Sequence, residues 1–223
     1  MRVLVTGATG MVGQGVLREC LLDPNVDVVV TVGRSATGVQ NPRLREIVRA
    51  DLKDYSAVEQ ELKGFDACFF CLGVSSAGLK EVDYERLTYG LTISLAETLS
   101  RLNPGMAFIY VSGAGTDSSE KGRVMWARVK GKTENALLRL PLNAYMFRPG
   151  LIQPMDGIRS RTASYRILYT LFKPLLPILR WAFPKQVLST RDIGKAMLAV
   201  ARKGYSKRIL ESVDIRAVVS DAS

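Results

Sequence analysis

The chain begins with a short apolar run that gives way to a segment with helical spacing. Val3, Leu4 and Val5 form a run too short for a helix and β-branched at both ends, which indicates a buried strand. Glycines then follow at three-residue spacing, and apolar positions in residues 16–22 recur with helical periodicity. This order of strand, glycine turn and helix is the context that a dinucleotide-binding loop requires.

The same alternation continues to the end of the chain. Further strands are predicted over residues 27–32, 44–50, 66–72, 106–111, 143–147 and 208–215. Helices are predicted over residues 55–63, 82–102, 122–138 and 190–203. The run at 66–72 is apolar nearly throughout, which is typical of a parallel sheet covered on both faces.

Strands that alternate with helices predict an α/β fold, here a doubly wound, Rossmann-type parallel sheet with a small C-terminal cap. We expect one NAD(P)-binding domain over residues 1–223. Within it, residues 1–152 form the cofactor-binding core, residues 153–189 the substrate cap, and residues 190–223 a return helix and last strand. With 47% hydrophobic residues, a chain of this length suffices for one sizeable core.

The glycine turn has a physical role for each glycine. Gly7 allows a tight turn, Gly10 lets the backbone approach a pyrophosphate, and Gly13 lets the helix pack closely on the strand. The diphosphate then lies on free N–H groups at the positive end of the helix. The candidate cofactor-binding residues of this loop are Gly7, Thr9, Gly10, Met11, Val12 and Gly13.

The residues after the second predicted strand indicate which dinucleotide is bound. This position faces the adenosine ribose in such folds, about 20 residues past the glycine loop. An acidic residue there would hold the ribose hydroxyls of NAD, whereas Arg34 offers a planar cation and Ser35 a hydroxyl, which suit a 2′-phosphate. The predicted cofactor is therefore NADP(H); the alternative for Arg34 is a solvated surface arginine.

Two further strand ends supply candidates for the cofactor wall. These residues are Asp51, Leu52, Cys71, Leu72 and Gly73. Asp51 is placed either to accept a hydrogen bond from the adenine amino group or to cap the helix predicted over residues 55–63. Cys68 and Cys71 are three residues apart on a strand and point to opposite faces, so we predict core or cofactor-wall residues, not a redox pair.

Composition narrows the function classes. Three cysteines and no histidine argue against a disulfide framework and against a metal site, and they favour a reducing compartment. Because the first strand begins at residue 2, we expect no signal peptide and a cytoplasmic location. The net charge of +10 fits anionic partners, but lysine and arginine are dispersed, so nucleic acid is not an expected partner.

Together these motifs resemble an extended or atypical short-chain dehydrogenase/reductase, an oxidoreductase group that includes NAD-dependent epimerase/dehydratase-like proteins. The resemblance covers most of residues 1–152. It is carried by the TGATGMVG loop, Gly33-Arg34, Asp51-Leu52, Cys71-Leu72-Gly73, the VSGAG stretch, Lys130 and FRPG. More narrowly, the chain is similar to small proteins related to the HIV Tat-interacting oxidoreductase.

The resemblance implies catalytic roles. Ser112 would polarise a substrate carbonyl, and Lys130 would hold the nicotinamide ribose and lower the pKa of a tyrosine four residues earlier. Trp126 stands at that tyrosine position, and an indole N–H donates a hydrogen bond but does not exchange a proton near neutral pH. The candidate catalytic residues are Ser112, Lys130 and Trp126, and Lys130 and Pro149 join the cofactor-binding set. The other candidates to supply the proton are Tyr84, Tyr89, Tyr110 and Tyr165. For Trp126 itself, packing is the alternative role.

The cap region contains an apolar stretch, residues 167–184, interrupted by prolines and charges that argue against a membrane span. A substrate lid is the favoured interpretation, with core packing, a homodimer contact or contact with a membrane surface as alternatives. Arg159, Arg161 and Arg166 precede it and are candidates to meet an acidic substrate.

The predicted function is NADP(H)-dependent oxidoreductase or epimerase-like chemistry on a small carbonyl or hydroxyl compound. The alternatives are an NADPH-binding regulatory protein with little turnover and a peripheral membrane protein acting on a lipid-like substrate.

Overall fold

A seven-stranded parallel sheet organises this computed structural model, which describes residues 1–158 and 187–221. The strands of the described residues are β1 (Arg2–Thr6), β2 (Val28–Gly33), β3 (Leu44–Val48), β4 (Ala67–Phe70), β5 (Ala107–Val111), β6 (Asn143–Arg148), β7 (Leu151–Gln153), β8 (Val187–Ser189) and β9 (Ile209–Glu211). The sheet has the order β3-β2-β1-β4-β5-β6-β9, and its strand pairs are parallel. The chain therefore adds strands outward from β1 in both directions.

Helices cover both faces of this sheet. The α-helices of the described residues are α1 (Met11–Leu22), α2 (Glu81–Glu85), α3 (Leu91–Leu102), α4 (Met125–Leu137), α5 (Thr190–Lys203) and α6 (Ser212–Asp221). One face packs against α1, α5 and α6, and the other packs against α3, α4 and a 3₁₀ helix over Ser56–Leu62. This arrangement confirms the predicted doubly wound α/β fold.

Alternation along the strands distributes the core between the two faces. Val3 and Val5 of β1 belong to the α1 side, whereas Leu4 belongs to the α3 side. On β4, Cys68 is buried in the α3-side cluster, and Cys71, just past the strand, packs against the α1-side cluster. Both cysteines are free thiols, as their predicted separation on opposite faces requires.

Several predicted elements differ from the structure. The helix predicted over residues 82–102 is divided into α2 and α3 by a π-helical turn over Arg86–Gly90. The last strand, predicted over residues 208–215, ends at Glu211 because the Glu211 N–H donates to Asp214 Oδ2 at 3.1 Å, which starts α6. By contrast, α5 has the predicted bounds, with a capping box between Ser189 and Asp192.

The cap region is described only at its ends. Strands β7 and β8 form a separate parallel pair that the sequence did not predict, with Ile152 opposite Leu188. The apolar stretch at 167–184 and four residues singled out above, Arg159, Arg161, Tyr165 and Arg166, lie outside the described residues. Among the helices that are described, none is long and apolar enough to cross a membrane.

A close backbone contact fixes α4 against the loop that follows β5. A Cβ atom added at Gly131 would lie 1.7 Å from the Asp117 carbonyl oxygen. The loop has little room to yield, because the Asp117 N–H donates to the Ala127 carbonyl at 3.0 Å. Glycine at position 131 therefore sets the distance between α4 and the end of β5.

We predict that Gly131→Ala lowers the free energy of unfolding by about 3 kcal/mol, the upper range for an overpacked site. A matched helical glycine provides the control. At Gly90 the nearest atom to an added Cβ is the Glu85 carbonyl oxygen, 4.0 Å away, so Gly90→Ala should stabilise by roughly 0.5–1 kcal/mol through helix propensity. Urea denaturation measures both, and equal effects would contradict the assigned contact.

Candidate functional site

The glycine turn after β1 brings three backbone segments into contact. Gly7 has φ +65°, and a Cβ there would lie 2.6 Å from the Cys71 carbonyl group and the Leu72 nitrogen. A Cβ at Gly13 would lie 2.1 Å from the Gly7 carbonyl oxygen. A side chain at Gly7 would therefore be strained and would clash with backbone, and one at Gly13 would push α1 away from β1.

The start of α1 is open to an anion. Gly10 occupies the N-cap position without a capping side chain, and the first turn contains no acidic residue. The N–H groups of Met11, Val12 and Gly13 form no hydrogen bond within the described part of the chain. Gln14 Nε2 donates to the Thr9 carbonyl at 3.0 Å and holds the loop in place. Free N–H groups at the positive helix end suit a phosphate group.

A cavity of about 310 Å³ lies beside this turn, at the carboxyl ends of β1 and β2. It is lined by Gly7, Ala8, Thr9, Thr31, Val32, Gly33, Arg34, Ser35, Thr37, Leu52 and Leu72. Arg34 is exposed and forms neither a hydrogen bond nor an ion pair with the described residues. The structure thus brings the glycine turn and the predicted ribose-facing residues to one cavity.

Asp51 does not cap the helix predicted over residues 55–63, whereas its contact with the adenine amino group stays a prediction. It is exposed and absent from the cavity wall, and its carboxylate accepts from the Lys53 N–H at 2.8 Å. The carboxylate at the start of the 3₁₀ helix belongs to Asp54, which accepts from the Ser56 N–H at 2.9 Å. Asp54 precedes the N-cap residue Tyr55, so its carboxylate satisfies an N–H of the first turn without occupying the cap position.

The remaining cofactor candidates lie at the same edge of the sheet. Cys71 follows β4, and its N–H donates to the Thr6 carbonyl at 3.3 Å. A Cβ added at Gly73 would meet no atom within 4 Å, so the backbone there borders open space. The Pro149 carbonyl accepts from the Ala114 N–H at 2.9 Å, which joins the ends of β5 and β6. These residues do not line the cavity described above.

Ser112 and Lys130 meet at the end of β5. Lys130 Nζ donates to the Ser112 carbonyl oxygen, and Ser112 Oγ donates to the Phe147 carbonyl at 3.1 Å. Burial lowers the pKa of Lys130 to about 8, and the nearby Glu134 carboxylate acts in the opposite direction. Lys130 is therefore partly neutral at a moderately alkaline pH.

A buried ion pair lies one helical turn beyond Lys130. The Glu134 side chain is fully buried, and Arg148 Nε and Nη2 reach its two carboxylate oxygens at 3.1 and 2.5 Å. These hydrogen bonds raise the pKa of Arg148. The pair fastens α4 to the end of β6, and sequence reasoning missed it; a glutamate four residues from Lys130 and the arginine of FRPG were the available signals.

Trp126 lies close to the loop that follows β5. The helix α4 carries it one turn before Lys130, and a Cβ on Gly115 would lie 3.7 Å from Trp126 Cη2. The half-buried indole thus lies near Gly115, in the loop that begins with Ser112.

The described tyrosines proposed as substitutes lie elsewhere. Tyr84 and Tyr110 are buried at 2% and 1% exposure, with Tyr110 in the core cluster on the α3 side. Burial raises the pKa of Tyr110 well above its ordinary value. The ring centroid of Tyr89 lies 4.9 Å from Lys132 Nζ. Lys132 is rotated by about 200° around α4 from Lys130, so Tyr89 lies on the opposite side of this helix from Lys130. None of these three is placed to take the proton-donor role at Trp126.

The fold, the glycine turn and the uncapped helix define a dinucleotide-binding protein. A family comparison specifies the class: the chain belongs to the NAD dependent epimerase/dehydratase family, whose sequence model matches residues 3–123. This family assignment is broader than the predicted resemblance to the branch of the HIV Tat-interacting oxidoreductase.

Individual relatives are more distant. The chain is 28% identical over 165 residues to Protein FMP52-2, mitochondrial, of Scheffersomyces stipitis, covering 72% of this chain and 70% of the relative. Among solved structures it is similar to the Bordetella bronchiseptica enzyme WbmF in complex with NAD+, with 15% identity, a TM-score of 0.69, and coverage of 99% and 77%. A short-chain dehydrogenase/reductase from Saccharomyces cerevisiae gives 16% identity, a TM-score of 0.63, and 98% coverage of both chains.

These relatives correct one prediction. The expected cytoplasmic location is contradicted, because the Scheffersomyces relative and further FMP52 relatives from other fungi are named as mitochondrial proteins. Cysteine content indicates a reducing environment but does not distinguish among compartments that share it.

The Lys130 environment predicts a pH dependence of stability. Because the folded-state pKa of about 8 lies below the ordinary value of 10.5, the unfolded chain binds more protons between these values. Wild-type stability should therefore rise relative to Lys130→Met as the pH increases through this window, by up to about 3 kcal/mol. Urea denaturation of both proteins at pH 7.5 and 10.5 measures the difference; a constant difference would show an ordinary lysine pKa.

Proposed function

We propose that this protein is an NADP(H)-dependent oxidoreductase that acts on a small carbonyl or hydroxyl compound. Its place within the family, in the branch of the HIV Tat-interacting oxidoreductase, is part of this proposal. The observation that carries it is the pair Arg34 and Ser35, which line the same cavity as the glycine turn. No carboxylate lines that cavity among the described residues, so its wall offers a cation and hydroxyl groups to the ribose end of a dinucleotide.

The residues present fit a dinucleotide phosphate. Glycines leave backbone room at the turn, and free N–H groups at the start of α1 suit a diphosphate. The exposed guanidinium of Arg34 is matched in charge and geometry to a 2′-phosphate. When bound, the nicotinamide ring supplies or accepts a hydride.

The second part of the site lies around the end of β5. We assign Lys130 to the nicotinamide ribose and Ser112 to the substrate carbonyl or hydroxyl, as the family resemblance implies. Ser112 Oγ donates to Phe147 in the present arrangement, so it must rotate to reach a substrate. Trp126 donates a hydrogen bond through its indole N–H and orients the substrate, while water supplies the exchangeable proton.

A second function is favoured by Trp126 itself. Without a titratable group at the usual proton-donor position, the site retains its cofactor-binding features and loses the family's general acid. A protein that binds NADPH and responds to it, with little turnover, would have this combination. The two functions differ in whether restoring a tyrosine restores a reaction.

Removing Arg34 tests the cofactor. The wild type should bind NADPH more tightly than NADH by roughly 1.5–3 kcal/mol, the range for a hydrogen bond to a charged group. Arg34→Ala should remove most of this preference and leave the NADH affinity nearly unchanged. Arg45→Ala, which removes an exposed arginine outside the cavity wall, is the matched control for net charge. Calorimetric titration gives both affinities, and equal binding of both nucleotides by the wild type would exclude the assignment.

Restoring a tyrosine distinguishes enzyme from sensor. Because a positioned general acid contributes about 10²–10⁴-fold, Trp126→Tyr should raise the rate of carbonyl reduction by an amount in that range. Trp126→Phe removes the N–H without adding a proton donor and should not raise it. The measurement is NADPH oxidation with a panel of aldehydes, ketones and quinones.

The other outcomes of this experiment are also informative. A wild type that turns over faster than Trp126→Tyr would show that the indole belongs to a substrate-specific pocket and that the proton-donor argument is wrong. Tight NADPH binding without turnover in any of the three proteins would favour the regulatory function.

A further inference from the structure

The segment that presents Arg34 and Ser35 is held at both of its ends. At one end, Gly33 is the last residue of β2, and its carbonyl accepts from the Arg49 N–H at 2.9 Å. At the other end, the Thr37 N–H donates to Glu46 Oε1 at 2.8 Å and the Thr37 hydroxyl donates to the same oxygen at 2.5 Å. Residues 34–36 therefore connect two anchored residues, Gly33 and Thr37.

Glu46 acts on this segment from the neighbouring edge strand. It lies on β3, in register with Thr31 of β2, whose hydroxyl also approaches Glu46 Oε1 at 3.5 Å. Thr31 and Thr37 both line the cavity, whereas Glu46 does not. Glu46 therefore contacts the cavity wall only through its two threonine partners.

The Glu46 carboxylate has no cationic partner among the described residues. Its hydrogen bonds come from a backbone N–H and from hydroxyl groups, and such charge-assisted bonds are stronger than neutral ones. The half-buried carboxylate is therefore used to anchor the loop, not to neutralise a surface arginine.

We propose that Glu46 is a positioning residue that sets the preference for a 2′-phosphorylated dinucleotide by clamping Thr37. This inference rests on the proposed function, because it concerns the same cavity. A loop fixed at Gly33 and Thr37 presents Arg34 and Ser35 with little further ordering on binding, and preorganisation of this kind increases affinity. The ribose of NADH makes less use of these two residues, so it should depend less on the clamp.

The carboxylate also has an opposing effect. A negative charge close to the loop repels a phosphate through space, and this repulsion would favour NADH. Anchoring and repulsion therefore predict opposite changes when the charge is removed, which makes the sign of the change decisive.

The test compares Glu46→Gln with Glu59→Gln. Glu59 forms an ion pair with Arg101 outside the cavity wall, so its substitution removes the same charge without touching the loop. Thr37→Val is the second variant, since it removes the hydroxyl donor and keeps the charge. Calorimetry gives the dissociation constants of NADPH and NADH, and hydrogen–deuterium exchange gives the protection of the amides of residues 35–37.

Glu46→Gln replaces a charged acceptor by a neutral one, and Thr37→Val removes one donor. We expect each to weaken NADPH binding about tenfold, with NADH changed by less than about twofold. Amide exchange in residues 35–37 should be faster in both variants and unchanged in Glu59→Gln. Unchanged or tighter NADPH binding by Glu46→Gln would overturn the proposal, as would equal weakening of both nucleotides.

Failure of the proposed function has a different signature. A wild type that binds both nucleotides equally contradicts the assignment of Arg34 and removes any preference for Glu46 to set. Amide exchange still reports on the clamp itself in that case, because it is measured without a nucleotide.

Discussion

The cofactor site depends on the contact between Gly13 and Gly7, where the start of α1 crosses the end of β1. The space at this crossing is too small for a single methyl group. The same helix also meets α5 closely, because an added Cβ at Gly15 would lie 2.5 Å from Thr190 Cβ, and one at Gly194 would lie 2.8 Å from Glu19 Cβ. A stack of β1, α1 and α5 thus depends on positions without side chains, and it places the free N–H groups of α1 beside the cavity.

The distribution of charge in the candidate site follows from the positions of these helices and strands. The helix end, the exposed Arg34 and the half-buried Lys130 present positive or partly positive groups along one edge of the sheet. The acidic side chains near them are engaged elsewhere, with Glu134 bound to Arg148 and Glu46 bound to Thr37. The arrangement separates carboxylates that hold other residues in place from positive groups at the sheet edge, which suits the anionic dinucleotide proposed to bind there.

Local patterns predicted the elements that local interactions determine. The bounds of α5 followed from its amphipathic periodicity with Asp192 in the first turn, and the glycine turn followed from its spacing between a strand and a helix. The π-helical turn in the middle of the long helix was not predictable, because apolar periodicity hardly changes over one inserted residue. The strands β7 and β8 pair across a long segment, and no local signal specifies that partner.

The residues of the candidate site also divide into those that the sequence pattern predicts and those that it does not. Arg34 could be identified from its distance along the chain from the glycine loop, since the fold fixes what faces the end of β2. The pairs Glu134–Arg148 and Glu46–Thr37 join different elements, so only the assembled fold shows which partners meet. Asp51 shows the limit within one motif, because it was the predicted cap and the carboxylate that contacts the first helical turn belongs to Asp54.

The pairing of β7 with β8 has an evolutionary consequence. The parallel ladder pairs Leu151 with Val187 and Gln153 with Ser189, so it holds residues that are far apart in the sequence side by side. Beyond β7, Met155 and Asp156 still contact α5. In general, the entropic cost of closing a loop grows only slowly with the number of residues in it, so two paired strands tolerate changes in the length of chain that separates them. Such a strand pair can therefore be inherited together with the nucleotide-binding half while the chain between its strands diverges.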